Sequence, residues 1–198
     1  MYKRYIKRLL DIILSGVALI ILSPVLLIVA ILVRTKLGSP VIFHQERPGK
    51  DEKIFTLCKF RTMTDGKDEN GNLLPDEVRL TKFGKLLRST SLDELPELWN
   101  ILKGDMSIVG PRPERVEHVE KYSKEVPEFS YRLKVKGGLT GYAQIYGKYN
   151  TSAYDKLRLD LMYIEKYSLL LDIKLILMTL QIMFRKESTE GFKKEEKK

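Results

Sequence analysis

Cysteine, histidine and tryptophan are almost missing from this chain: Cys58, His44, His118 and Trp99 are the whole supply. A lone cysteine excludes an intrachain disulfide and suits a cytoplasm-facing protein. Two histidines without metal-ligand spacing argue against a zinc centre or a histidine-centred triad. Zinc-ligand clusters, RNP-like aromatic motifs and basic heptad helices are also absent, which sets nucleic acid aside as a partner. Internal repeats are lacking too. Charge is plentiful, and its balance is basic: 35 Lys and Arg against 26 Asp and Glu give a net charge of +9. An anionic partner follows, either lipid headgroups or a phosphorylated substrate.

Residues 12–33, in contrast, carry no charge at all. As one helix these 22 residues would rise ~33 Å, enough to cross a hydrocarbon core of about 30 Å. Basic residues stand on both sides, however: Lys3, Arg4, Lys7 and Arg8 before the run, Arg34 and Lys36 after it. Such flanks favour the cytoplasmic side. Pro24 lacks a backbone donor and obstructs the carbonyl four residues earlier, so a helix bends or breaks there. A helix folded at Ser23-Pro24 would enter half-way and return, with Ser23 satisfying a backbone group that the break frees. A kinked single span is the alternative, and both stay open on these residues. A cleaved signal peptide fits neither the length nor the following RTKLGSP. Asp11 needs an interfacial position or a basic partner such as Arg8.

Downstream, VIFHQ and KIFTLCKF read as short strands, the second carrying Ile54 and Leu57. Residues 63–77 read as an exposed polar loop. TKFGKLLRS predicts a basic helix capped by Thr81, with Phe83, Leu86 and Leu87 on one face. The glycine-rich VKGGLTGYAQIYGKYN predicts a loop with close backbone approaches, and a long helical stretch follows from Tyr154. Around residues 169–184, Asp172 and Lys174 interrupt an apolar run, so it reads as a core or interfacial amphipathic element and not a second span. Residues 1–36 thus read as a membrane-associated unit, 37–184 as one further domain outside the apolar run, and 185–198 as a solvated charged tail.

The densest chemistry lies in Ser91-Leu92-Asp93-Glu94-Leu95-Pro96. Ser91 and Glu94 fit a capping box, in which both acids merely complement a helix start. Pro96 would then fall inside that helix, and its ring disfavours an α conformation at Leu95. A helix beginning near Pro96 instead leaves Asp93 and Glu94 on the turn before it. Two adjacent carboxylates there suit a divalent cation and a nucleophile. Lys59 and Arg61 in KFRTM, Arg88, and Arg112 between Pro111 and Pro113 supply donors for phosphate. Gly137, Gly138, Gly141 and Gly147 interleave with Thr140, Gln144, Lys148 and Asn150, a pattern that suits amides approaching a phosphate or sugar.

At these residues the chain resembles the monotopic phosphoglycosyl transferases, the bacterial sugar transferases that begin lipid-linked glycan assembly. The resemblance rests on the apolar run with Ser23-Pro24, KFRTM, LRSTSLDELPELWNILKGDMSIVGPRPE, GGLTGYAQIYGK and LDLMYIEKYSLLLDIKLI. It implies a chain close to the family's minimal size, without the extra membrane helices of larger relatives. The implied fold is α/β, mostly helical and monotopic: a re-entrant broken helix, interfacial amphipathic helices and a small soluble α/β part on the cytoplasmic face of the bacterial inner membrane. The implied reaction moves a sugar-1-phosphate from a nucleotide diphosphate sugar, with uridine as the expected nucleotide, to polyprenol phosphate. Asp93 would be the nucleophile, and Mg²⁺ would sit near Asp93 and Glu94. Glu94 would hold the ion or move a proton. Lys59, Arg61, Arg88, Arg112, Gln144 and Lys148 would contact substrate. Where relatives usually read PG, W and NGR, this chain has Gly137-Gly138, Tyr142 and Tyr146-Gly147-Lys148; Lys148 keeps the charge of arginine without its fork.

Overall fold

The computed structural model describes residues 1–147 and 151–183. Lys148, Asn150 and the charged tail of residues 185–198 lie outside the described residues. The chain opens with a π-helical turn, Tyr2–Ile6, that runs into α1 (Lys7–Ile21); α2 (Ser23–Lys36) follows at a bend of 64°. The bend has a local cause. Pro24 cannot supply the N–H that would reach the Ile20 carbonyl, and the Ser23 hydroxyl donates to that carbonyl instead, at 2.8 Å. No single described helix is long and apolar enough to cross a membrane, while this bent pair passes by length and composition together. Its outer side exposes Ile13, Val17, Ile20, Leu27, Ile28 and Ile31.

The inner side of the pair is core. Val29 and Val33 of α2 pack with Leu37, Phe60 and Leu87, and Ala18 and Leu19 of α1, with Leu22 at the break, pack on Leu57, Leu98, Ile101 and Met106. Polar bolts tighten this seam. Asp11 is 4 % exposed and accepts from the Ser107 hydroxyl and the Ile108 amide, both at 3.0 Å. Arg8 donates to the Ile101 and Leu102 carbonyls at 2.6 and 2.7 Å, and Lys7 pairs with Asp172 at 2.6 Å. The partner of Asp11 is therefore the opposite side of the seam, and its neighbour Arg8 is occupied elsewhere.

Two strands, β1 (Ile42–Pro48) and β2 (Ile54–Phe60), form an antiparallel hairpin with Ile42 opposite Phe60 and Pro48 opposite Ile54. Strand β2 feeds both faces: Leu57 enters the cluster under α1 and Phe60 the cluster under α2. Ile54, at the start of the strand, is exposed and lies on the face opposite to Leu57. A short α3 (Asp76–Arg79) precedes α4 (Lys82–Ser89), whose Thr81 cap accepts from the Gly84 amide at 3.1 Å. Phe83 and Leu87 face the core, but Leu86 is exposed.

Beyond α5 (Glu97–Lys103) come β3 (Ser107–Val109), α6 (Val116–Glu125), a 3₁₀ segment Pro127–Lys134 and β4 (Gly138–Thr140), which pairs parallel with β3. The glycine-rich segment is thus more than a loop: it contributes β4 and α7 (Tyr142–Tyr146). Its close approaches are to the chain's own backbone. A Cβ on Gly138 would lie 2.0 Å from the Gly110 nitrogen, so only glycine lets β4 meet the strand that leads into Gly110-Pro111-Arg112. The stretch from Tyr154 is two helices, α8 (Ala153–Lys166) and α9 (Leu169–Met183), separated at Tyr167-Ser168. Tyr163, Leu175 and Val109 close the third cluster, and α9 leaves Leu170, Ile173 and Leu177 exposed.

Candidate active site

Ser91 adopts a left-handed φ of 54° and makes no side-chain cap bond. A 3₁₀ turn, Leu92–Glu94, follows, with Pro96 at the N-cap of α5. Both acids therefore sit on the turn leading into a proline-started helix, and their side chains diverge.

Asp93 is 7 % exposed, and its Oδ1 is buried without a hydrogen-bond partner. Burial pushes its carboxyl above the usual range, helped by the adjacent Glu94 charge and opposed by Lys59 and Arg88. Glu94 has the opposite setting. Lys59, from the end of β2, lies 2.7 Å from its Oε1, and the Arg112 guanidinium reaches both its oxygens. Burial works against ionisation here as well, but Arg112 and Lys59 overcome it and hold the Glu94 carboxyl at about 2. Lys59 also pairs with Glu97 at 3.1 Å, and Glu97 is almost fully buried.

Arg112 is fixed from behind. The buried Arg132 donates to the Arg112 carbonyl at 2.9 Å and pairs with Asp160 at 2.7 Å, while Glu114 pairs with Lys156 at 2.8 Å. Nothing local in the sequence marks Arg132, Asp160 or Glu97, because each is read only through partners 18 or more residues away.

The other candidates divide. Arg88 donates to the Thr62 hydroxyl at 3.1 Å, and its charge is felt at Asp93. Arg61 pairs with Asp65 at 2.9 Å and reaches the Leu37 carbonyl, so its contacts are structural and away from the acids. Gln144, on α7, has both side-chain polar atoms buried without a partner and lines a cavity that also holds Glu94 and Arg112.

That cavity, of about 390 Å³, is polar at this end and apolar along its length, where Ala18 of α1 and Leu22 at the break face Ile176 and Leu180 of α9. On the far side of Lys59 and Arg112 a recess of about 160 Å³ adds Arg47, Arg115 and His118. Arg47 donates to the Pro113 carbonyl at 3.1 Å, and its Nε is buried without a partner.

No group of three or more His, Cys, Asp or Glu able to hold a metal occurs among the described residues. The orphaned Oδ1 of Asp93 nevertheless suits a cation that brings most of its ligands with a diphosphate. Glu94 suits it less, since its oxygens are already taken by two cations.

The unpaired buried carboxylate of Asp93 feels the charges of Lys59 and Arg88, and its neighbour Glu94 lines the polar end of the apolar cavity with Arg112 and Gln144. The chain belongs to the bacterial sugar transferase family, whose profile matches residues 2–186. An uncharacterized sugar transferase of Bacillus subtilis, EpsL, is 48% identical over 89% of this chain and 86% of its own length. The UDP-glucose:undecaprenyl-phosphate glucose-1-phosphate transferase of Klebsiella pneumoniae is 46% identical over 87% of this chain. The UDP-N-acetylgalactosamine-undecaprenyl-phosphate N-acetylgalactosaminephosphotransferase of Aeromonas hydrophila is 37% identical over 89% of it. The matched region spans 39% and 43% of the length of these last two proteins.

Proposed function

We propose that this chain moves a sugar-1-phosphate from a nucleoside diphosphate sugar, with uridine as the nucleoside, to a polyprenol phosphate, through a covalent intermediate on Asp93. The observation that carries the reading is the contrast between neighbours: Asp93 keeps a free buried oxygen while Glu94 is neutralised by Lys59 and Arg112. An Asp93 oxygen attacks the sugar-bearing phosphorus, and the bond from that phosphorus to the bridging oxygen breaks. The nucleoside monophosphate leaves with the oxygen. A polyprenol phosphate oxygen then attacks the same phosphorus, breaks the Asp93–phosphorus bond and restores the carboxylate. Two displacements spare two polyanions a direct encounter.

Glu94 positions Lys59 and Arg112 for the phosphates; with its carboxyl at about 2 it is a weak base near neutrality. Arg88 faces the phosphate on Asp93, and Arg47 and Arg115 extend the cationic wall towards the nucleotide. Gln144 and Lys148 are assigned to the donor's sugar or nucleotide. Asp93 would hold Mg²⁺, which when bound neutralises diphosphate charge. The apolar cavity between α1 and α9 suits the acceptor's isoprenoid chain.

The same reading seats residues 1–36 in the bilayer as a re-entrant pair on the cytoplasmic face of the inner membrane, with α4 and α9 lying at the interface through Leu86, Leu170 and Ile173. Residues 37–184 form the catalytic unit and 185–198 its tail. Cysteines placed at Lys3 and Lys36 are expected to react with an impermeant reagent only from the cytoplasmic side; labelling from opposite sides would establish a span. For the reaction, nucleoside monophosphate release from a panel of donors is expected to require added polyprenol phosphate for sustained turnover. Sustained release without acceptor would identify a hydrolase, and no release with any donor would leave an anion-binding protein.

A further inference from the structure

A second concentration of charge lies away from the acids, where the amino-terminal end of α1 meets the rest of the fold. It surrounds a cavity of about 280 Å³. Lys3, Arg4, Lys7 and Arg8 enter from the start of the chain, Lys50 from the turn between β1 and β2, and Lys134 and Lys136 from the segment before β4. Against these seven cations the lining holds one carboxylate, Asp11, whose Oδ1 is already taken by Ser107 and Ile108.

Some of the cations have structural work. Lys7 pairs with Asp172, Arg8 holds two carbonyls of the α5 end, and Lys3 reaches the Glu165 carbonyl. Arg4, Lys134 and Lys136 have no carboxylate within ion-pair distance among the described residues. Lys136 shows the strain: burial lowers its ammonium pKa, and the Arg8 charge lowers it further. Like charges gathered into one concavity from three distant segments repel, and the arrangement is compensated when an anion occupies the space.

The surroundings indicate what carries that anion. Tyr163 and Tyr167 line the cavity. The exposed apolar side of α1 begins at Leu9 and Ile12, little more than one turn beyond Lys7 and Arg8. Tyr163 belongs to the core, but the half-buried Tyr167, with the Lys3 ammonium 4.3 Å from its ring centroid, stands among lysines and arginines at the foot of an apolar helix, an arrangement typical of the level of lipid headgroups. We propose that this cavity binds the phosphate of an acidic phospholipid headgroup, with Lys134, Lys136 and Arg4 as the donors left free for it. The proposal rests on the bilayer-seated reading above. A soluble phosphate ester such as glycerol phosphate presents the same anion and is the source the experiment must separate.

The test is native mass spectrometry of the full chain released from nanodiscs containing phosphatidylcholine and phosphatidylglycerol. Wild type is expected to retain a phosphatidylglycerol adduct. A Lys134→Gln/Lys136→Gln pair is expected to retain about 30-fold less, at about fivefold per lost charge. Lys121→Gln/Lys124→Gln, removing two exposed charges of α6, is the matched control and should retain it. Arg4→Gln gives an independent reading should the lysine pair not fold. Equal retention by the cavity variants and wild type, or equal loss in the control pair, would overturn the site. Displacement of the lipid by free glycerol phosphate would overturn the lipid source. Binding to pure phosphatidylcholine vesicles is read separately: its loss counts against bilayer seating, whereas a missing adduct with that binding intact counts against the cavity alone.

Discussion

Replacing Asp93 with asparagine is expected to lower turnover by at least about four orders of magnitude, because an amide does not displace a phosphate at neutral pH. The same variant, given donor and magnesium without acceptor, should show no phosphosugar adduct by intact mass, whereas wild type should. Stability should move the other way. Burial and the Glu94 charge raise the Asp93 carboxyl, so the folded chain binds that proton more tightly than the unfolded chain does. Its ionised form then costs stability increasingly as pH rises through the raised value. The Asp93→Asn substitution removes that cost, and the variant's melting temperature should equal or exceed that of wild type, with a margin that grows as pH rises from the ordinary carboxylate range through the raised value and is constant above it. Activity within tenfold of wild type would reject the nucleophile.

The second large effect concerns Lys59. Its ammonium lies 2.7 Å from Glu94 and 3.1 Å from Glu97, and all three side chains are mostly buried. Lys59→Met strands Glu97 and leaves Glu94 to Arg112 alone, a loss of about 3–5 kcal/mol by the cost of breaking buried pairs. The sign with pH is again specific. Burial already raises the Glu97 carboxyl, and without Lys59 it rises further. A raised carboxyl takes up a proton in the folded state first, so the deficit should shrink as pH falls from neutrality towards the ordinary carboxylate range. Glu94 itself behaves conversely in wild type. Held at about 2 against an ordinary 4.5, it contributes stability in full above 4.5 and loses it as pH falls towards 2. Chemical denaturation of Lys59→Met and of Lys59→Met/Glu97→Gln checks this: the double variant should recover stability without recovering activity. Equal stability of Lys59→Met and wild type across that pH range would show that the triad holds nothing together.

What the sequence discloses here is what depends on neighbours along the chain. Pro24 announces the bend and Ser23 its remedy, since the carbonyl that proline strands is three residues from that hydroxyl. Pro96 likewise sets Asp93 and Glu94 on a turn, and the proline pair about Arg112 marks a fixed guanidinium. Partnerships across the chain leave no such trace. Asp11 finds Ser107 across 96 residues, and the Arg132–Asp160 pair behind Arg112 looks in sequence like two ordinary surface charges. The glycines are legible as close approaches but not as to what is approached; β3 is what Gly138 meets. The break at Tyr167-Ser168 carries neither glycine nor proline; its local mark is Ser168, whose hydroxyl accepts from the Leu171 amide at 3.4 Å as α9 begins. The partners of Glu94, Lys59 and Arg112, are equally hidden, since they lie 35 and 18 residues away along the chain.

The seam between α1 and the body of the protein has a mechanical corollary. Salt links, shared core and capped carbonyls leave no slack between the anchor and the chemistry. On the proposed bilayer seating such a molecule has no tether: when its apolar limb tilts to suit a thinner or thicker host, Asp93 swings with it like the end of a rigid lever.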